Sequence, residues 1–470
     1  MNRLHFLQSS AALSASLLVP DWLRAGSPSF PVVRTPLADR KFTSPAVEQV
    51  IKQFENSVSN KELAWLFGNC FPNTLDTTVD FTIKDNRPDT YVITGDIDAM
   101  WLRDSTAQVW PYLSLVKEDD RLRQLIAGVI NRQTENILYD PYANAFYKDR
   151  SKLGEWKSDH TDMKPGIHER KWEIDSLCYP IRLAYHYWKI TGDTAPFDAK
   201  WKESIQLIVK TFREQQRKND KGPYKFERTT AWATDGVPLG GYGYPAKPVG
   251  LIFSMFRPSD DATIFPFLIP ANFFAVTSLR QAAEMLQKIH NESSLARACN
   301  ELATEVDKAL QLFATATHPE FGKVYAYEVN GYGSYNLMDD ANVPSLLALP
   351  YLDAMKNTDP VYINTRRLLL SESNPFFFKG KAGEGIGGPH VGVDMIWPIS
   401  IVIRGLTSNN DPEIKECLRL LQSTHGDTGF MHEAFHKDDP KKFTRKWFAW
   451  ANTLFGEFVF KIYREKKQLL

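Results

Sequence analysis

"DAMWLRDSTAQVWPYL", residues 98–113, sets two aspartates and an arginine among large apolar side chains. Carboxylates seldom lie beside tryptophan, methionine and leucine unless something pairs them. The same combination returns four times along the chain. It reappears as "WEIDSLCYPIRLAY" (172–185), "FRPSDDATIFPFLIPANFFA" (256–275), "LMDDANVPSLLALPYL" (337–352) and "VGVDMIWPISIVIRGL" (391–406). The signatures recur roughly every 55 to 85 residues, the length of a helix pair with its loops. With a further pair at the C-terminus the chain makes about six such units. Six helical hairpins closed in a ring give a toroid with an inner and an outer layer. If each signature opens an inner helix, all five face one mouth of the ring, where helix N-termini favour negative charge. The alternative for each aspartate is an ordinary helix cap. Caps, however, do not require Trp, Arg or His beside them.

The rest of the chain agrees with a mostly helical fold. "IDSLCYPIRLAYHYWKITGD", from Ile174, carries apolar residues at three- and four-residue spacing and closes on Gly192. Residues 272–314 read as two amphipathic helices broken near Asn291–Ser294, and "DPEIKECLRLLQSTHG" and "RKWFAWANTLFGEFVFKIYREKK" as two more. The clearest strand signal is "KVYAYEVNGYG", residues 323–333, expected as a short hairpin. The expected fold is therefore all-α, an (α/α)6 barrel with minor β-hairpins in its loops.

Composition narrows the function. Lys plus Arg and Asp plus Glu both number 56, so no basic face invites a nucleic acid. The aromatic fraction is 13%, with 12 Trp, and flat aromatic faces suit the C–H groups of sugar rings. In residues 1–27 one arginine precedes a short apolar stretch, followed by small residues, the outline of an export signal. That division leaves 28–470 as one catalytic domain, exported to the periplasm or the medium and acting as a monomer. No segment is apolar enough to span a membrane. Cys70, Cys178, Cys299 and Cys417 lack metal-ligand spacing and are expected as buried free thiols.

An acidic, aromatic-lined mouth points to carbohydrate. Cleaving a glycosidic bond needs two carboxyl groups, one to protonate the leaving oxygen and one to attack or to activate water. Two segments offer them. "FRPSDDAT" places Asp260 and Asp261 side by side, where repulsion favours keeping one protonated, although Arg257 opposes this. "GFMHEAFHKDDP" places Glu433 in a loop between imidazole and aromatic groups, a plausible general base. His432 and His436 in "HEAFH" are spaced like half a zinc motif, but the order and loop context do not fit a zincin helix. Neither G-x-S-x-G nor a phosphate-binding loop is present.

Together, "GDIDAMWLRDS", "EIDSLCYP", "FRPSDDA", "MDDANVPSLL", "GGPHVGVDMIWP", "GFMHEAFHKDDP" and "KWFAWANTLFGE" resemble glycoside hydrolase family 125. The resemblance runs from about residue 45 to 465. It implies an (α/α)6 barrel and exo-acting removal of non-reducing terminal α-1,6-linked mannose. It further implies inversion of configuration, with no metal or other cofactor. The substrate would be a mannose-containing oligosaccharide, an N-glycan or mannan fragment. Carried onto this chain, the resemblance makes Asp260 the general acid, with Asp261 as alternate, and Glu433 the base. Asp98, Arg103, Asp104, Asp261, Asp339, Asp340, Asn342, His390, Trp397 and His432 would hold the sugar. Loops 140–170, 228–256 and 376–390 would close the pocket. Rival readings are another toroidal glycosidase, such as a glucosidase or trehalase-like enzyme, and a non-catalytic glycan-binding protein.

Overall fold

Most outer helices begin at a short polar side chain that caps them; the inner helices begin without one. The structure, a computed structural model, describes residues 30–470, so the proposed export segment lies outside the described residues. Thirteen α-helices are found among the described residues. They are α1 Pro45–Ser57, α2 Lys61–Cys70, α3 Asn73–Thr77, α4 Leu102–Val109, α5 Asp120–Tyr139, α6 Ile174–Thr191 and α7 Ala199–Glu214. The series continues with α8 Ile269–Ile289, α9 Ser293–Phe313, α10 Pro360–Leu369, α11 Pro398–Leu406, α12 Asp411–Ser423 and α13 Ala449–Glu465. Asn60, Asp119, Asp198, Asp359 and Asn410 cap α2, α5, α7, α10 and α12 by accepting from first-turn N–H groups. Trp101, Glu173, Leu268, Trp397 and Phe448 precede α4, α6, α8, α11 and α13 without capping them. The signature aspartates are therefore not the caps of these helices.

Residues 33–470 pack as one unit. Its inner layer runs α13 on α4, α4 on α6, α6 on α8, and α11 on α13; its outer layer includes α5 on α7, α7 on α9, and α12 on α2. This is the six-hairpin toroid, with one departure. The fourth signature opens no regular helix; residues 344–355 run through successive turns. Pro344 and Pro350 deprive such a segment of amide donors. The buried Asp339 carboxyl group instead takes the Leu346 and Leu347 N–H groups, at 2.8 and 2.9 Å. The segment still occupies its place in the inner layer. Tyr179 of α6 donates to the Val343 carbonyl at its start, Tyr362 of α10 donates to its Leu347 carbonyl, and its Tyr351 donates to Glu457 of α13.

Short strands sit at the N-terminal ends of inner helices. Met100–Trp101, Phe267–Leu268 and Met395–Ile396 lead directly into α4, α8 and α11, each as a member of a three-stranded sheet. The expected hairpin over 323–333 is divided between two sheets. Gly322–Tyr325 pairs back to Thr315–His318, while Glu328–Val329 pairs with Phe267–Leu268 and with Tyr335–Asn336. The four cysteines are buried and free. At the crossing of α11 and α13 only glycine fits at Gly405, because a Cβ there would lie 2.4 Å from the Phe458 ring.

Candidate active site

A cavity of about 360 Å³ opens among the N-terminal ends of the inner helices, within the range of roughly 300–1,000 Å³ usual for small-ligand pockets. Arg103 and Asp104 enter it from the first turn of α4, Trp397 from just before α11, and Phe448 and Trp450 from the start of α13. Rings of His390, Trp397, Phe448 and Trp450 follow one another along one wall, with centroids 6.1–6.3 Å apart. The indole N–H groups of Trp101 and Trp397 are buried without an acceptor among the described residues. They are available to hydroxyl groups.

Asp260 and Asp261 part company at a backbone turn. Asp260 has φ +69°, a left-handed conformation that Asp tolerates better than most residues. The Asp260 N–H bonds back to the Arg257 carbonyl at 2.9 Å, and the Arg257 N–H to the Asp261 carbonyl at 2.7 Å. The Arg257 guanidinium is drawn away to buried Glu328, at 2.7 Å. The Asp260 side chain thus remains 23% exposed to the cavity, where Asn144 donates to it at 3.3 Å and Arg103 stands 3.6 Å away. Asp261 is buried, 3.7 Å from His390 Nδ1, with Ser259 Oγ donating to it at 3.2 Å. Burial works against the Asp261 charge, yet His390 holds this carboxyl below its usual range. Burial likewise works against the His390 charge, but the Asp261 hydrogen bond and charge push the imidazole up to about 9. Asp260 is therefore the member free to face a substrate, and Asp261 fixes His390.

Glu433 comes from the opposite side of the ring. It immediately precedes the strand Ala434–His436, which pairs with Met395–Ile396 and with Asp439–Thr444. The Glu433 side chain is 7% exposed and lies 3.5 Å from Arg445 Nη1. Arg445 is in turn held by Asp96, at 2.6 Å. Both Asp260 and Glu433 line the cavity, and both act electrostatically on His390.

The far wall is a polar lattice. Lys171 Nζ reaches Asp235 at 2.6 Å, the Asp260 carbonyl at 2.8 Å and Glu169 at 3.3 Å. Arg228 binds Asp159, Glu169 and Asp235, and lies 3.7 Å over the Trp156 ring. Burial alone would raise Glu169, but Lys171 and Arg228 bring it down to about 2. Trp232, 54% exposed, stands at the rim.

Most of the expected sugar-binding residues meet here: Arg103, Asp104, Asp261, Asn342, His390 and Trp397 line the cavity. Four do not. Asp98 is 74% exposed on its side chain and pairs with Lys152, because the turn at 96–99 points it to solvent. Asp339 is spent on the backbone of the turns it caps. Asp340 lies under Gly388 and accepts from Ser259, bracing the Asp260 loop from behind. His432 stacks on Phe443 at 3.7 Å and bonds Thr428; burial pushes it down to about 4, leaving a neutral ring. His432 and His436 stand on extended chain, where four residues span roughly 13 Å, too far for a shared metal. Each of the three loops expected to close the pocket reaches it, through Trp156, Trp232 and His390 among others. The glycine-rich stretch 380–388 is packed tightly: a Cβ on Gly387 would lie 2.1 Å from the Met395 carbonyl.

Sequence reasoning did not single out Glu169, Lys171, Arg228 or Asp235. Their only signal was charge within loops that have no periodicity.

A hollow that gathers two carboxyl groups from remote loops, each beside its own guanidinium and against a wall of aromatic rings, is built to split glycosidic bonds. The protein is a glycoside hydrolase. More narrowly, the chain belongs to glycoside hydrolase family 125, the metal-independent α-mannosidases, whose family model matches residues 60–460. It is 42% identical over 458 residues to the meiotically up-regulated gene 157 protein of Schizosaccharomyces pombe (strain 972 / ATCC 24843), covering 94% of this chain and 90% of that one. It is 40% identical to a solved metal-independent α-mannosidase from Streptococcus pneumoniae, determined as a non-productive complex with α-1,6-mannobiose. That match has a TM-score of 0.87 and covers 91% of this chain and all of the other. A solved glycosidase at 11% identity, with a TM-score of 0.51 over 86% of this chain and 99% of its own, shares the fold alone.

Proposed function

We propose that this α-mannosidase releases single α-1,6-linked mannose residues from the non-reducing ends of N-glycan or mannan fragments, with inversion. One observation carries the mechanism: Asp260 and Glu433, from opposite sides of the ring, line one cavity, each next to its own arginine. Asp260 gives its proton to the glycosidic oxygen as the C1–O bond breaks. Glu433 takes a proton from the water that attacks the opposite face of the ring. Inversion requires the two carboxyls to stand about 6.5–9.5 Å apart, leaving room for that water. The α-1,6-mannobiose held by the streptococcal relative supports the linkage. Exo-action is supported by the three loops that reach the cavity edge.

Proton NMR of the first product from α-1,6-mannobiose tests substrate, linkage and stereochemistry together. β-Mannose is expected first; α-mannose would replace inversion by retention, and no cleavage would remove the linkage assignment. We further propose that the chain acts as an exported monomer. N-terminal sequencing of the protein recovered outside the cytoplasm should start near residue 28, and light scattering should give one chain's mass.

A further inference from the structure

Arg103 is shared by more acids than it can neutralise. Its guanidinium lies 2.7 Å from Glu173 Oε2, 3.1 Å from Asp175 Oδ2, 3.5 Å from Asp104 Oδ2 and 3.6 Å from Asp260 Oδ1. Glu173 and Asp175 are completely buried and have no other basic partner among the described residues. Lys171 meets Asp260 only at the backbone carbonyl, its ammonium being committed to Glu169 and Asp235. A single cation does not sustain three buried anions and the partly exposed Asp260 as well, and the surplus charge is removed by protons. Burial is the main cause that drives Glu173 well above the carboxylate range, Asp175 up to about 6, and Asp104 upward.

Glu173 has the geometry to keep such a proton. Its Oε2 accepts from Arg103 at 2.7 Å and from Ser176 Oγ at 2.8 Å. Its Oε1 is buried with no donor against it, and the guanidinium that holds Glu173 through Nη1 stands 3.6 Å from Asp260 through Nη2. Two carboxyl groups gathered on one guanidinium relieve their mutual repulsion by sharing a proton.

We propose that Glu173 is a positioning residue for the acid step, sharing one proton with Asp260 and keeping Asp260 able to donate at neutral pH. This rests on Asp260 being the general acid. Before reaction the pair carries one proton. Asp260 passes it to the glycosidic oxygen, which also keeps the electron pair of the broken C1–O bond. The pair, now doubly anionic beside Arg103, takes a proton back from water, while the proton gained by Glu433 leaves to solvent. The charged and titratable groups facing the pair are Arg103 and Asp104 from α4, and Asp175 from α6. His168, Glu169 and Lys171 face it from the strand Ile167–Glu169 and the residues after it, and His390 from its loop.

The test compares Glu173→Gln with the wild type across pH on α-1,6-mannobiose and on a dinitrophenyl α-mannoside, whose leaving group needs no proton. In the variant, the alkaline limb of kcat/KM on mannobiose should fall by about one pH unit or more, and neutral turnover by roughly tenfold or more. The dinitrophenyl substrate should change by less than about threefold, since acid catalysis is not needed there. An unmoved alkaline limb, or equal losses on both substrates, overturns the proposal. If Glu173→Gln does not fold, Glu173→Asp serves: it withdraws the carboxyl by one methylene and should show the same split between substrates. A wild-type enzyme that leaves mannobiose uncut would instead defeat the mannosidase reading.

Discussion

Arg445 Nη1 stands 3.5 Å from Glu433 Oε1, and Asp96 secures that arginine at 2.6 Å. Arg445 stacks over Phe448, 4.5 Å from the ring centroid. The proposed base thus sits at the edge of an aromatic wall beside a cation that is itself fixed. Glu433→Gln preserves shape and removes proton acceptance. Turnover should drop by about 10²–10⁴-fold, the usual worth of acid–base catalysis. Mannobiose affinity measured by calorimetry should stay within a few-fold. Near-normal turnover would place the base elsewhere.

The two adjacent aspartates should separate by kinetics. Asp260 faces the cavity and Asp261 faces His390. Asp260→Asn should cost about 10²–10⁴-fold in kcat on mannobiose, and much less on a dinitrophenyl α-mannoside. Asp261→Asn releases His390, so its main effect should be a raised KM on both substrates alike. Steady-state kinetics on the two substrates distinguishes them; the reverse pattern would make Asp261 the acid.

The ring was legible because it is repetitive. Apolar periodicity places α6, α8, α9, α12 and α13, and the recurring signatures place the inner ends together. The fourth unit escaped this logic, since Pro344 and Pro350 replace a helix with turns that sequence period cannot forecast. At the site, Asp260, Glu433, Arg103 and His390 were legible because chemistry and motif coincide. Asp98 and Asp339 were misplaced because the spacing of aspartates says nothing about which way each side chain leaves a turn. Asp96, to which the sequence assigns no role, anchors Arg445. Lys171 and Arg228 were hidden in loops, where only three-dimensional closure shows which charges meet.

Asp339 offers a check on that correction. If it serves the fold rather than the sugar, Asp339→Asn should leave KM unchanged and lower stability. Asn puts an NH2 group, which cannot accept, where one of the two Asp339 oxygens now takes an N–H, a cost of about 1 kcal/mol by analogy with helix caps. Burial pushes Asp339 up to about 8 in the folded chain, against an ordinary value of about 3.9. Between these values the folded state binds the proton more tightly, so wild-type stability from this group is full at low pH and is lost as pH rises through about 8. The deficit of the variant should therefore be clear near pH 5 and shrink towards pH 8–9. Urea midpoints at the two ends of that range measure it, and a raised KM would return Asp339 to the sugar site.

The pair of His390 and Asp261 gives the opposite end of the pH scale its own signature. His390 is a third exposed at the cavity edge, and its charged form depends on Asp261. Its folded value is about 9, against about 6.5 for a free imidazole. The stabilisation it contributes is complete below the unfolded value and disappears as pH rises through about 9. Asp261, held below its ordinary value, contributes stability that is present above about 3.9 and is lost as pH falls through its lowered folded value. The pair therefore supports the fold chiefly from about pH 4 to 9. His390→Gln should lower Tm most near pH 6 and have little effect above about pH 9.5, where the wild-type imidazole is already neutral. Melting curves of both proteins across this interval decide the matter: a Tm difference that persists undiminished at high pH would mean that His390 stabilises the loop by packing and not by charge.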